Sequence, residues 1–271
     1  MMQPDLIRYH EFVNFSAALA LVLAGSLAAQ TPAPVPAAIE NTGKPMRIPF
    51  DCTPADTAAV GLSCSEDEPC PVYLELASVE AAGNKLFITG NVHSPTTTLS
   101  SILLASDDAG GTWTEPHARI RATGLDQIQF IDFQNGWISG ANLQTSPRDP
   151  FFLLTTDGGK TWRQRPVFDE SRVASIERFW FESRESGTML IDARLDNNRH
   201  ELYESMTGGE SWAMRRASSS PIPLQHAREP GASGWRLRAD AASHSYVLEK
   251  SQGEKWQKTA SFLVDAGACR Q

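Results

Sequence analysis

The side chains with chemical reach are sparse and unclustered. His93, His117, His200, His226 and His244 are scattered through the chain without ligand spacing, so each reads as a surface or turn residue. The carboxylate runs Glu66-Asp67-Glu68 and Asp169-Glu170 have the form of solvated loop charges. The chain has no Gly-x-Ser-x-Gly elbow, no His-Glu-x-x-His helix and no complete Gly-x-x-x-x-Gly-Lys-Ser/Thr phosphate loop. Four cysteines, Cys52, Cys64, Cys70 and Cys269, lack the Cys-x-x-Cys spacing and His partners of a zinc site. No metal or cofactor is expected.

Composition narrows the partners. The 271 residues carry 24 basic and 32 acidic side chains, a net charge of −8. A nucleic-acid partner, which needs a basic stripe, is not expected, and the acidic balance also argues against anionic lipid. Hydrophobic residues make up 41% of the chain, enough for a packed core.

The ends are read separately. An uncharged run of Ala, Leu, Val and Gly, Ala17 to Ala29, follows a weakly basic start and closes on Ser26-Leu27-Ala28-Ala29. Small residues at Ser26 and Ala28 suit signal-peptidase cleavage, so residues 1–29 read as an export signal, with no membrane insertion after cleavage. The Pro/Ala stretch within residues 30–43 reads as an extended linker, and the ordered domain as residues 44–271. Export to the periplasm or outside the cell makes disulfides expected from an even set of four cysteines, which allows three pairings. Cys64 and Cys70 enclose only a short acidic loop that a local bridge closes.

The strongest pattern is a repeated turn. Ser106, Asp108, Gly110, Thr112 and Trp113 recur as Thr155, Asp157, Gly159, Thr161 and Trp162. The third copy keeps Ser205, Gly209 and Trp212 but has Thr207 for the Asp, and the fourth keeps only Gly253 and Trp256. The Trp-to-Trp steps are 49, 50 and 44 residues. A turn Asp accepts backbone N–H bonds that the turn leaves open. Gly supplies positive φ, and Trp fills space between sheets. These residues are therefore read as structural rather than catalytic, and the four tryptophans as buried at equivalent positions.

Elements around each turn repeat as well. Ile128–Phe133, Gly136–Gly140, Phe151–Thr155 and Trp162–Val167 form four strand-like segments in one period. The same frame gives units over residues 72–120, 125–170, 173–218 and 222–262, the last beginning with a strand at Ile222–His226. In Arg178-Phe179-Trp180-Phe181, alternation puts Phe179 and Phe181 on one face and Trp180 on the other.

On these turns and the Gly-Trp-x-x-Gly strand before the second, the chain resembles the Asp-box (BNR) repeat proteins. It is most similar to the photosystem II stability/assembly factor type and more distantly similar to sialidases. The resemblance implies an all-β fold: a propeller-like array of about four four-stranded blades, with the box as the hairpin between third and fourth strands. A propeller must close or leave open sheet edges, so the resemblance implies that Cys52 pairs with Cys269 near the chain ends and Cys64 with Cys70. Pairing of Cys52 with Cys64, and Cys70 with Cys269, remains the competing arrangement.

Sialidases also carry Arg-Ile-Pro ahead of the first box, matched here by Arg47-Ile48-Pro49, 59 residues before Ser106. They need further Arg residues, a Tyr beside a Glu and an acid/base Asp. Only Tyr73, Tyr203 and Tyr246 follow the signal, and the chain is short for six blades. The reading is therefore an exported, non-catalytic propeller that binds a protein or glycan as a scaffold or assembly-type module. A sialidase-type glycoside hydrolase and a purely structural domain stand beside it as alternatives.

Overall fold

The computed structural model describes residues 38–144, 146–224 and 233–270. The expected export signal and most of the linker lie outside them. Among the described residues no helix is long and apolar enough to cross a membrane.

Regular structure in the described chain is nearly all β. A two-residue strand β1 (Ile39–Glu40) and a short helix α1 (Pro54–Ala59) lead into sheet 1, which holds β2 (Cys70–Ala82), β3 (Lys85–His93) and β4 (Thr98–Ser106). The short β5 (Thr112–Trp113) pairs with β1, and a bridge from Thr114 to Ala105 joins it to β4. Sheet 2 holds β6 (Thr123–Phe130), β7 (Gly136–Asn142), β8 (Arg148–Thr155) and β9 (Arg163–Pro166). Sheet 3 holds β10 (Ser175–Phe181), β11 (Gly187–Ala193), β12 (Arg199–Ser205) and β13 (Ala213–Ser218), with a single helical turn α2 (Arg194–Asn197) between β11 and β12. Sheet 4 holds β14 (Trp235–Asp240), β15 (Ser245–Gln252) and β16 (Lys255–Leu263). The last strand, β17 (Asp265–Cys269), leaves sheet 4 and pairs antiparallel with β2 of sheet 1. Apart from β17 beside β2, neighbours within each of the four sheets run antiparallel in chain order, as a meander does.

Three apolar clusters hold the sheets face to face. Leu74, Ile88 and Leu104 of sheet 1 pack with Leu248, Ala260 and Phe262 of sheet 4. Phe87 and Leu103 of sheet 1 pack with Ile128, Ile138 and Leu153 of sheet 2. Trp137 and Phe152 of sheet 2 pack with Phe179, Phe181 and Met189 of sheet 3. The packing order is thus 4-1-2-3, and among the described residues no apolar cluster joins sheet 3 to sheet 4.

Hydrogen bonds reinforce one of these interfaces. Gln129 Nε2 donates to the Phe181 carbonyl and its Oε1 accepts the Phe181 N–H, both at 2.8 Å. Gln127 clasps Phe179 in the same way, at 2.8 and 3.0 Å. The two glutamines of β6 therefore satisfy the free edge of β10, where backbone groups would otherwise be buried unpaired.

Four expectations need correction. Ile222–Leu224 form no strand and residues 225–226 lie outside the described ones; among the described residues sheet 4 has three strands of its own. Ser261–Val264 reads in the sequence as a separate strand at the chain end, but Ser261–Leu263 continue β16, and the strand that joins sheet 1 is β17. Met46–Phe50 reads in the sequence as a short strand before Cys52, but only Met46 pairs, in a parallel bridge with Phe262. Of Trp113–His117, which the repeat frame reads as the fourth strand of the first unit, only Trp113 lies in β5 and Thr114 in a single bridge to Ala105, and Pro116 beyond them lacks a ladder donor.

Two disulfides tie the ends. Cys52 is bonded to Cys269, with Cα atoms 5.2 Å apart, and Cys64 to Cys70, with Cα atoms 5.5 Å apart. The ladder places Cys269 opposite Cys70, so both bridges meet where β17 lies on β2.

Candidate functional site

The repeated turns are organised by their own side chains. In the first, the Ser106 hydroxyl donates to Asp108 Oδ1 at 2.8 Å and accepts the Gly110 N–H at 2.8 Å. Asp108 also accepts the Thr112 N–H at 2.8 Å and the Thr112 hydroxyl at 2.9 Å. The second turn repeats every one of these bonds with Thr155, Asp157, Gly159 and Thr161. Thr112's N–H first, then the Ser106 hydroxyl, hold the Asp108 carboxyl down at about 2; Thr161's hydroxyl and N–H do the same for Asp157.

The third turn shows how the missing carboxylate is replaced. Gly209 still donates to Ser205 Oγ at 2.9 Å, Ser211 N–H donates to Thr207 Oγ1 at 3.0 Å, and the Thr207 and Ser211 hydroxyls pair at 2.9 Å. In the fourth, Gln252 pairs directly with Lys255, leaving a two-residue hairpin of Gly253 and Glu254 with Gly253 at φ +65°. Such a hairpin requires positive φ and leaves no space for a side-chain network.

Each of the first three turns packs against the preceding sheet in the order 4-1-2-3. A Cβ on Gly110 would meet Thr259 of sheet 4, one on Gly159 would meet Phe87 of sheet 1, and one on Gly209 would meet Leu154 and Trp137 of sheet 2. The tryptophans follow suit: Trp113 against Phe262, Trp162 against Phe87, Trp212 against Phe152. Their burial is not equal, which corrects the expectation. Trp113 is fully buried, Trp162 and Trp212 are half-buried, and Trp256 is half-buried beside Arg236 of its own sheet, 4.2 Å from the guanidinium to the ring centre. Among the described residues Trp256 belongs to none of the three apolar clusters.

The turns stand apart on separate sheets, and their carboxylates do not converge. Carboxylates do converge elsewhere, in a recess of about 260 Å³ where the first strands of sheets 1, 2 and 3 meet. Glu75 of β2, Asn91 of β3 and Asp126 of β6 line it, with Ser139 of β7 and Ser175 of β10. Each of the three first strands has an irregularity here, between Leu76 and Ser78, Leu125 and Ile128, and Ile176 and Arg178. A bulge re-aims side chains off the regular alternation, and in β6 the residues released are Asp126 and Gln127.

Asn91 fixes one carboxylate: its Nδ2 donates to Glu75 Oε2 at 3.0 Å. Asn91 is buried, and its Oδ1 finds no donor. Asp126 remains reachable by water, yet burial between the recess walls pushes its carboxyl up, and the Glu75 charge adds to the rise. Burial also raises the Tyr246 hydroxyl of sheet 4, again with Glu75 contributing. No Lys or Arg is among the lining residues.

The residues of the sialidase alternative are not assembled. Arg47 pairs with Asp265 of β17. Tyr203 does lie beside a Glu: its hydroxyl donates to Glu201 Oε2 at 2.9 Å, and Arg172 bonds both. Both residues are buried, and burial first, then the Glu201 bond, pushes the Tyr203 hydroxyl up to about 12, the reverse of an activated nucleophile. Asp196 and Asn197 of α2 join the same group, so it anchors that helical turn to β12. Glu75, Asn91 and Asp126 went unnoticed in the sequence; the available signal was two consecutive polar residues, Asp126-Gln127, interrupting an apolar alternation.

No family model and no curated protein matches the chain. Solved structures do. YCF48 bound to D1 peptide is similar at 18% identity and a TM-score of 0.41, over 70% of this chain and 54% of that one. YCF48 from Cyanidioschyzon merolae is similar at 14% identity and 0.39, over 71% and 58%. The GH74 xyloglucanase from Xanthomonas campestris is similar at 14% identity and 0.37, over 68% and 28%. The chain spans between 54% and 58% of the length of the two YCF48 structures.

Proposed function

We propose that this chain is an exported binding module of Asp-box propeller type, which engages a protein or glycan partner at the recess between sheets 1, 2 and 3 and performs no catalysis. The observation that carries the reading is the recess itself, with Glu75, Asn91 and Asp126 directed into it from two sheets. The turns support the Asp-box assignment, because their residues bond to one another and leave no carboxylate free for chemistry. Export is supported by the leader-like start and by both cysteine pairs being bridged.

One observation favours a second reading. Two carboxylates facing one recess, one with a raised proton affinity, is the combination a glycoside hydrolase uses. An acidic recess without Arg repels anionic sugars, so a neutral glycan is the substrate class that reading requires.

The test runs both arms on the full chain. Glycan and peptide arrays are probed for saturable binding, and sialosides and neutral β-glucans are assayed for turnover. Binding without turnover is expected. Turnover at an enzymatic rate, abolished by Asp126→Asn, replaces this reading with the hydrolase.

A further inference from the structure

The run Arg178-Phe179-Trp180-Phe181 sends its rings to the two faces of sheet 3. Phe179 and Phe181 are fully buried against sheet 2. Trp180 is half-buried, belongs to none of the three apolar clusters and lines a recess of about 500 Å³ on the opposite face. That volume lies within the range usual for small-ligand sites. A tryptophan left half-open on a sheet offers a flat apolar surface and an indole N–H at the same place.

Cross-strand register surrounds this ring with polar groups. Trp180 stands opposite Thr188, and Thr188 opposite Glu204, so the three form one row across β10, β11 and β12. Directly opposite side chains on one face lie about 5 Å apart at their Cβ atoms. Arg216 of β13, opposite Leu202, lines the same recess, and Glu182 and Ser186 line it from the turn between β10 and β11. The rim thus combines donors, acceptors and hydroxyls that act as both. Glu204 is paired with Arg215 at 2.8 Å, which leaves Glu182 and Arg216 as one charge of each sign.

A flat apolar ring, a mixed polar rim and balanced charge select a ligand chemistry. A pyranose presents a face of C–H groups to an indole and a rim of hydroxyls, each both donor and acceptor. An anionic sugar loses at Glu182 what it gains at Arg216, which favours a neutral one. An apolar peptide segment covers the ring but strips water from Glu204 and Arg216 without replacing its hydrogen bonds.

We propose that this face of sheet 3 binds a neutral oligosaccharide, with one pyranose stacked on Trp180 and its hydroxyls bonded by Thr188, Glu204 and Arg216. The site shares no lining residue with the recess between sheets 1, 2 and 3, and neither reading depends on the other.

The experiment is an NMR titration of the isotope-labelled full chain with cellotriose, maltotriose and triacetylchitotriose. Trigalacturonate and a tetraproline peptide serve as comparison probes. At least one of the three neutral sugars is expected to give saturable shifts at the Trp180 indole N–H and at the Thr188 and Glu204 amides. Trp180→Ala and Arg216→Ala are each expected to weaken that binding at least tenfold, and Trp180→Tyr, which keeps a flat ring, to weaken it less. Unchanged hydrogen-exchange protection of Phe179 and Phe181 checks that the variants fold, and using two positions guards against one that does not. The proposal is overturned if none of the three sugars gives a saturable shift, or if Trp180→Ala binds as the parent does. Trigalacturonate or tetraproline binding more tightly than all three sugars overturns the neutral-glycan assignment. Glycan-array binding that is lost in Trp180→Ala but kept in Asp126→Asn supports this site alone. Array binding that persists unchanged in Trp180→Ala and Arg216→Ala overturns this site and leaves the recess reading standing.

Discussion

Trp162 stands edge-on to Phe87 of the preceding sheet, ring centres 6.1 Å apart and planes at 81°. Trp113 holds the same attitude to Phe262 at 5.2 Å and 81°. The shared geometry across two successive interfaces shows one packing rule, in which each turn seats its tryptophan on the sheet before it. Trp256 belongs to none of the three apolar clusters among the described residues and lies beside Arg236.

That difference predicts unequal costs of truncation. Trp113→Ala removes a fully buried ring and is expected to cost about 3–5 kcal/mol. Trp256→Ala should cost about 1 kcal/mol, since the ring is half-exposed and covers one arginine. Denaturant unfolding of both variants checks the order; equal losses would show that Trp256 enters an interface as the others do.

The glutamine clasp predicts a large effect from a small change. Gln129→Leu keeps the volume but leaves the buried Phe181 N–H and carbonyl without partners, an expected loss of about 2–4 kcal/mol. Hydrogen exchange should show the Phe181 amide losing its protection, while amides in sheet 4 keep theirs.

The turns predict reciprocal substitutions. Asp157→Ala unpairs the Lys160 and Thr161 N–H groups and should lower stability by about 1–3 kcal/mol. Thr207→Asp supplies a charge-assisted acceptor to the Ser211 N–H and hydroxyl and should raise the midpoint of thermal melting. A fall in the midpoint with Thr207→Asp would mean the third turn cannot accept a carboxylate.

The same carboxylates predict acid sensitivity. Asp108 and Asp157 are held at about 2 in the folded chain, against 3.8 ordinarily. A depressed folded value contributes stability above the unfolded one, and that stability is lost as pH falls through the folded one. The melting advantage of the parent over Asp157→Asn should therefore be full at neutral pH and shrink between about pH 4 and pH 2. An advantage that stays constant over that window removes the ionised carboxylate as its source.

The bridges predict a ranking. Cys52 and Cys269 are 217 residues apart, and Cys64 and Cys70 are 6 apart. Chain entropy assigns on the order of 5 kcal/mol to the long loop and about 2 kcal/mol to the short one. Paired Cys→Ser variants compared by denaturant unfolding should preserve that order.

The amino-acid sequence by itself determined the turns, and a hydrogen-bond argument explains why. Ser106, Asp108, Gly110 and Thr112 satisfy one another within a few residues, so residue type and spacing specify the turn without reference to the rest of the chain. The strands between turns were legible through their alternation for the same local reason. Tertiary structure alone decided the order of the sheets, the strand that β17 joins, and the cysteine pairing that both sequence arrangements left open. It also decided the recess, because Glu75, Asn91 and Asp126 lie on three strands, and only sheet packing with a bulge at Asp126 turns them toward one another. Local bonds are written in local sequence; a site formed between sheets depends on which faces find one another in the core.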